Sequence, residues 1–350
     1  MALPSLRAMS DKSIRPLAVM LFAQLVLVAA LLFWAGTGFP LPAAITGGSE
    51  HAKTPPPAPL QPTGGAAAND PVAASAAARD ALLAPRPTAD RFDAQRAFAL
   101  LREQVQVYGW RPAGSPALRR LAVRLRPLLP HGRFEDVPDH PGLRNIVGSL
   151  PGHGKAIVIG AHYDVESHPV GFVGANDGAA GSAAVVELAR ALARAPRTSA
   201  DRPLRFVLFD GEEEPAGCVP FLQCGLRGSK AYAHRHVSEL RSLVLLDYIA
   251  EKHGLSFPYE ATSNRRMWAR LRAAARDVGV GRLFPDADGP GIIDDHTPFL
   301  QRKIPAIDVI DFHYPPADTL ADRLDKVSQR SLDAVGETVY LLATRLRRSG

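Results

Sequence analysis

Ala156-Ile157-Val158-Ile159-Gly160-Ala161-His162-Tyr163-Asp164 sets an unbroken apolar run directly against an imidazole and a carboxylate. A short run that is apolar on both faces fits a central strand buried on both sides, as in parallel sheets. His162 then leaves that strand at its carboxyl end. Runs of the same kind recur at Asn145–Val147, Leu204–Phe209, Ser242–Leu246 and Ala306–Ile310. Two of them also end in acids: Asp210-Gly211-Glu212-Glu213-Glu214 follows Phe209, and Asp247 follows Leu246. Side chains at the carboxyl ends of neighbouring strands in an α/β protein converge on one crevice.

Between the strand candidates the apolar residues fall at helical spacing. Helices are predicted over Phe92–Tyr108 (stopped by Gly109), Leu118–Leu129, Gly181–Ala195 (stopped before Pro196), Asn264–Val278 (from an Asn cap to Gly279) and Ser328–Leu346 (from a Ser cap). Alternating strands and helices predict an α/β three-layer sandwich: a mostly parallel, mixed central sheet flanked by helices.

The amino-terminal quarter reads differently. Lys12 and Arg15 precede a nineteen-residue apolar run, Leu17–Ala35, interrupted by Gln24. As a helix it would span about 28 Å, close to a bilayer's hydrocarbon core. It exceeds the apolar core of a cleaved signal peptide, the rival reading. Residues 1–39 are therefore expected to be a short cytoplasmic stub and a single transmembrane anchor, with the rest of the chain on the extracytoplasmic side. Residues 40–87 are rich in Pro, Ala and Gly, as in Pro55-Pro56-Pro57-Ala58-Pro59, and read as a disordered spacer. Residues 88–350 remain as the catalytic domain. The net charge of +6 is spread along helices without interleaved aromatics, which argues against nucleic acid as a partner. The chain's two cysteines, Cys218 and Cys224, lie close together in an exported segment, so a local disulfide is expected; free thiols and metal ligation are the alternatives.

The chemistry rests on His162, Asp177, Glu212, Glu213 and Asp247. One imidazole and several carboxylates at strand ends can hold one or two divalent metals. Asp164, two residues beyond His162, is placed to return to the ring. Asp177, in Gly174-Ala175-Asn176-Asp177-Gly178, could cap the following helix and still bridge two metals. Consecutive acids at a strand end repel unless a cation is present. With one bound, one acid ligates and its neighbour serves as a general base. Asp294-Asp295-His296 precedes Thr297-Pro298-Phe299 and can also be a helix start.

The ordered set His162-Tyr163-Asp164, Gly174–Asp177, Asp210–Glu213, Leu245-Leu246-Asp247 and Asp294-Asp295-His296-Thr297-Pro298-Phe299 resembles the co-catalytic zinc exopeptidase family, which includes bacterial leucine aminopeptidases and glutaminyl cyclases. Arg111–Ser115 and Asp325–Ser328 match further family segments. The resemblance implies that His162 and Asp247 hold one zinc, Asp177 bridges, Glu213 holds the second, and Glu212 is the general base. The family closes its second site with a His in a Trp-His-Thr-x-x-Asp segment. This chain reads Ala317-Asp318-Thr319-Leu320-Ala321-Asp322, so Asp318 stands where that His would be, with His313 the histidine nearest to replace it.

Two zinc ions, or one, are expected on this resemblance. The principal expectation is an aminopeptidase acting on peptide or protein amino termini. The first alternative is a glutaminyl-peptide cyclotransferase with one zinc, in which Asp247 and Asp294 assist Glu212. The long stretch Glu214–Arg227 and the Asp294-Asp295-His296 segment favour that branch, and Ala317 in place of its Trp argues against it. A non-catalytic binding domain on the same fold is the second alternative.

Overall fold

The computed structural model describes residues 80–348. The expected anchor at 17–35 and all but the last residues of the expected spacer lie outside them. Among the described residues no helix is long and apolar enough to cross a membrane.

Six strands form one sheet: β1 (Arg133–Asp136), β2 (Arg144–Leu150), β3 (Ala156–His162), β4 (Leu204–Phe209), β5 (Leu240–Asp247) and β6 (Ala306–Ile310), in the order β1-β2-β4-β3-β5-β6. β4, β3, β5 and β6 are mutually parallel, and β2 and β1 add antiparallel at one side. The expected mixed, mostly parallel sheet is thus present. Every residue of β3 and β6 is buried, as two-sided apolar strands require, and the burial in β6 includes the acid Asp308. β1, with sequence Arg-Phe-Glu-Asp, escaped prediction because an edge strand needs no continuous apolar run.

Eight helices flank the sheet among the described residues: α1 (Ala94–Glu103), α2 (Pro116–Leu125), α3 (Ala179–Arg194), α4 (Phe221–Cys224), α5 (Arg227–Arg235), α6 (Arg265–Asp277), α7 (Thr297–Gln301) and α8 (Gln329–Arg348). Alternate side chains of the strands face opposite layers. Ile157, Ile159, Ala161, Val244 and Leu246 share a core with α1, α3, α6 and α8. Val158, Val207, Phe209, Leu243 and Leu245 pack instead with Tyr232 and Ala233 of α5 and Phe299 of α7. Asn264 caps α6 as expected, its Oδ1 accepting from the Met267 N–H at 3.0 Å. The helix expected over Phe92–Tyr108 ends in a wide π turn at Gln104–Tyr108. That turn aims Gln104 at the start of α3, donating to the Ala179 carbonyl at 3.1 Å.

The chain runs from β3 to β4 on one side, then returns to place β5 and β6 on the other. The reversal around β3 opens a crevice at the carboxyl edge of the parallel strands. α3 starts over that crevice, and its Gly181 lets it sit almost on the sheet. A Cβ at Gly181 would run into the Leu246 carbonyl oxygen and lie 2.9 Å from Ala161 Cβ. The close approach holds the residues before α3 against the ends of β3 and β5. Gly181→Ala is therefore expected to lever α3 outward at a cost of about 1–3 kcal/mol. A thermal melt reads it, and an unchanged midpoint would show that this contact is not tight.

Candidate metal centre

The strand ends deliver their acids to one place. His162, the last residue of β3, directs Nε2 at Asp177 Oδ1 (3.1 Å) and Asp247 Oδ1 (3.3 Å). His162, Asp177 and Glu213 each offer a ligand atom within 4.8 Å of the others, and all three are buried. Glu212, Asp247 and Asp294 are buried beside them and line the same cavity, of about 250 Å³. Asp318 also lines it, but from the exposed loop beyond β6. His313 is exposed and does not line it. The structure therefore brings His162, Asp177, Glu212, Glu213, Asp247, Asp294 and Asp318 together, and leaves His313 out.

Asp164 plays a different part from the one expected. It is fully buried and 3.7 Å from His162 Nδ1, beyond hydrogen-bond reach. Its two oxygens accept instead from the backbone N–H groups of Glu212 (3.2 Å) and Glu213 (3.3 Å). The Glu212 carbonyl accepts from Leu226 N–H at 2.7 Å, and the Glu213 carbonyl from the Arg227 guanidinium at 2.6 Å. The acidic turn is clamped from both sides, so its side chains are held in place before any ligand arrives.

Asp177 is placed just as firmly. Asp322 accepts from the N–H groups of Asn176 and Asp177, each at 3.0 Å, and from the Tyr314 hydroxyl at 2.7 Å. Asn176 Oδ1 accepts from Ala250 N–H at 2.8 Å, which ties the loop to the chain after β5. Gly178 has a φ of 79°, and a Cβ on it would collide with the Asp164 carbonyl. Beneath lies Arg111, with no solvent exposure. Its guanidinium donates to four carbonyls: Tyr163 (3.3 Å), Gly109 (3.1 Å), Val173 (2.6 Å) and Gly174 (3.2 Å). Burial lowers its pKa to about 10, against the opposing pull of Asp177, Asp164 and Asp322.

Tyr248 carries another connection. Its hydroxyl lies 2.9 Å from Asp177 Oδ2 and 3.0 Å from Asp318 Oδ1. Tyr248 (φ 45°) and Asp318 (φ 54°) both hold left-handed backbone, which non-glycine residues seldom adopt. Such outliers cluster at functional sites.

Arg111, Tyr248 and Asp322 had no role in the sequence reading. Each left a signal as a member of a segment that resembles the family, Arg111 in Arg111–Ser115, Tyr248 in Asp247-Tyr248-Ile249 and Asp322 in Ala317–Asp322, without a contact or part assigned to it. A second buried trio, Asp294, His296 and Asp308, adjoins the first through Asp294. His296 Nε2 is 2.7 Å from Thr262 Oγ1, and Nδ1 is 3.6 Å from Asp308 Oδ2.

The electrostatics of the cavity ask for a cation. Burial, with Asp294, Asp295 and Asp164 nearby, drives the Glu212 carboxyl well above the usual range although His162 opposes it. Burial followed by Asp177, Glu212 and Glu166 does the same to Glu213. Asp247 rises to about 7 through burial, with Asp294 and Asp177 adding to it against the His162 hydrogen bond. Among the described residues no Lys or Arg pairs with these acids. One imidazole nitrogen with several carboxylate oxygens, converging without a counter-charge, fits a borderline divalent ion such as zinc.

Residues 145–343 match the family model Peptidase family M28. The chain belongs to that family. It is 30% identical over 235 residues to the glutaminyl-peptide cyclotransferase of Bos taurus, covering 56% of this chain and 64% of the relative. It is 28% identical over 237 residues to that of Bothrops jararaca, with the same coverage. The chain thus spans less than two thirds of these curated relatives. Among solved structures, the Porphyromonas gingivalis glutaminyl cyclase superposes with a TM-score of 0.63 at 27% identity, over 74% of this chain and all of that one. A Zn-dependent exopeptidase from Parabacteroides distasonis superposes with a TM-score of 0.62 at 25% identity, over 72% of this chain and 98% of that one. The family expected from the motifs is therefore the family found.

Arg111→Lys keeps the charge but loses the planar fork that spans the carbonyls. It is expected to cost about 2–3 kcal/mol in a denaturant melt. A variant as stable as the parent would show that the guanidinium is not what holds the loop.

Proposed function

We propose that this protein is a zinc-dependent enzyme of peptide amino termini, and that its reaction is cyclisation of an amino-terminal glutamine. The observation that carries this reading is the set of three buried carboxyls, Glu212, Asp247 and Asp294, on the cavity beside the His162–Asp177–Glu213 trio. Similarity to cyclotransferases from animals and to a bacterial cyclase supports it.

His162, Asp177 and Glu213 would hold the ion, with Asp318 at the exposed edge. Bound there, zinc supplies Lewis acidity to a substrate carbonyl and stabilises charge that develops on its oxygen. The chain's own acids handle the protons. The substrate enters as an ammonium, drawn to the carboxylates. Glu212 accepts one of its protons at a carboxylate oxygen, which frees the amine's electron pair. The amine nitrogen bonds to the side-chain δ-carbon, and the bond from that carbon to the amide nitrogen breaks. Glu212 returns that proton to the departing nitrogen, so ammonia leaves; the Glu212 carboxylate then takes the second proton of the ring nitrogen, and a neutral five-membered lactam remains. A carboxyl held well above its usual pKa by burial suits both halves of this exchange. Asp247 and Asp294, adjoining Glu212, keep its charge from being fixed by a permanent partner.

Hydrolysis of the first peptide bond is the second reading. It is favoured by His162 Nε2 standing between Asp177 and Asp247, a donor set for a second cation, and by similarity to the Parabacteroides exopeptidase. Water would then be the nucleophile, with Glu212 again moving its proton. A binding domain would gain nothing from buried, mutually repelling acids, which disfavours the third expectation.

Assay of an amino-terminal glutamine peptide beside a leucine anilide separates the two reactions: ammonia release from the first supports cyclisation, and cleavage of the second alone supports hydrolysis. Glu212→Gln is expected to lower kcat on whichever substrate is turned over by about 10²-fold or more, with bound zinc retained. Parent-like rates would remove Glu212 from the mechanism. Asp318→His is expected to keep or raise the zinc held through dialysis. A marked fall would place Asp318 outside the ion's reach.

A further inference from the structure

We infer that the basic face of α5, together with Arg302 and the loop at His140, forms a binding site for a phosphate group. The site is separate from the acidic cavity, and the inference does not depend on the reaction proposed there.

Arg227, Lys230 and His234 fall at i, i+3 and i+7 and so share one face of α5. Like charges at such spacing weaken a helix rather than support it. That face borders a cavity of about 400 Å³, which Arg302 and His140 also line and in which Asp139 is the one acid. Arg227, Lys230 and Arg302 are each half-buried, so three cations meet in one hollow. Their partners are carbonyls. Arg227 donates from Nε to Gly211 at 3.2 Å and from Nη2 to Glu213 at 2.6 Å. Lys230 Nζ donates to Leu222 at 2.5 Å and to Gly225 at 2.7 Å, and Arg302 Nη1 to Pro298 at 3.1 Å. None of the three pairs with a carboxylate among the described residues. Elsewhere guanidinium groups do find acids: Arg124 meets Glu103 at 2.7 Å, Arg272 meets Asp286 at 2.6 Å, and Arg345 meets Asp277 at 2.6 Å. The excess charge is felt locally. Burial, with Arg227 and Lys230 adding to it, holds His140 below its usual pKa although Asp139 opposes them.

Carbonyl bonds fix these cations without discharging them. The hollow is therefore positive and ordered before a ligand arrives, which lowers the ordering cost of binding. Arg227 keeps Nη1 for a ligand, and Arg302 keeps Nε and Nη2. Guanidinium forks match the oxygens of phosphate as they do those of carboxylate. Charge separates the two ligands: a phosphomonoester carries about two negative charges near neutral pH, and a single carboxylate carries one. Three fixed cations answer the former better. A free phosphate and a phospholipid headgroup offer the same group.

The full chain is titrated calorimetrically, at about 0.15 M ionic strength to screen long-range attraction, with inorganic phosphate, dihexanoyl phosphatidic acid and acetate. The tighter of the two phosphate compounds is expected to bind at least tenfold more tightly than acetate. Affinity no better than that for acetate overturns the inference. Tighter binding of the lipid makes a headgroup the natural source, and tighter binding of inorganic phosphate makes it a free anion. Arg302→Ala is expected to weaken phosphate about tenfold and His234→Ala about fivefold, with Arg302→Lys restoring part of the loss. His234 is exposed, so His234→Ala keeps its fold and decides the question even if Arg302→Ala melts early. Phosphate affinity unchanged in His234→Ala and in Arg302→Lys alike would place the anion elsewhere, such as on a bound metal, and overturn the inference.

Discussion

Negative charge held in a confined, largely dry space is the constraint on which the rest of the structure depends. Two unit charges about 4 Å apart repel by several kcal/mol even at an effective dielectric constant of 20. Asp177, Glu212, Glu213, Asp247 and Asp294 crowd one cavity, and no Lys or Arg among the described residues pairs with them. Such a cluster persists only if rigid backbone holds its members. The parallel strands provide that backbone, because four carboxyl ends share one edge and each is anchored by an interior apolar on both faces. The hydrophobic core thus supplies the stability that the acids spend.

A second tier of polar groups turns strand ends into a defined geometry. Asp164 and Asp322 carry carboxyl groups like the cavity residues, yet their oxygens are taken by backbone N–H groups. That removes them from ligation and fixes the turns bearing Glu212, Glu213 and Asp177. Arg111 does the converse, giving its donors to carbonyls rather than to acids. Its positive charge stays near the floor without neutralising it. The distinction between acids that bind and acids that brace lies in what each oxygen meets, since the residue types are the same.

This division explains what could be read from sequence. β3 was legible as a continuous apolar run, and β4 and β6, apolar apart from Arg205 and Asp308, match their predicted limits. Asn145–Val147 was too short for β2 because Gly148 and Ser149 break the run while still pairing with β4. α5 was missed because its cap, Leu226, offers no side-chain acceptor and its exposed face is polar. Among the site residues, those at strand ends could be placed from their runs alone. Asp164 was adjacent enough to be noticed but its partners, the Glu212 and Glu213 amides, lie on another strand's loop. Tyr248, Arg111 and Asp322 act through contacts with distant segments, so the segments they lie in could be noticed but their partners could not.

The edge at Asp318 is where the site is least rigid in chemical terms. His162, Asp177 and Glu213 are buried, whereas Asp318 is exposed on a loop and tied to the cluster through the Tyr248 hydroxyl. That hydroxyl has one proton for two carboxylates, so it donates to Asp177 or to Asp318 but not to both at once. A His at this position would offer a neutral donor and leave the Tyr248 proton to Asp177. A carboxylate instead competes for it and adds negative charge to a cavity already in excess. Oxygen donors also discriminate less against harder ions such as manganese or magnesium than an imidazole does. The left-handed backbone at both Tyr248 and Asp318 fits this picture, since it spends conformational energy to keep the two groups in contact. On the proposed reading, a metal held by the buried trio would find its discrimination between ions set at the solvent-facing rim, by one hydroxyl and one acid.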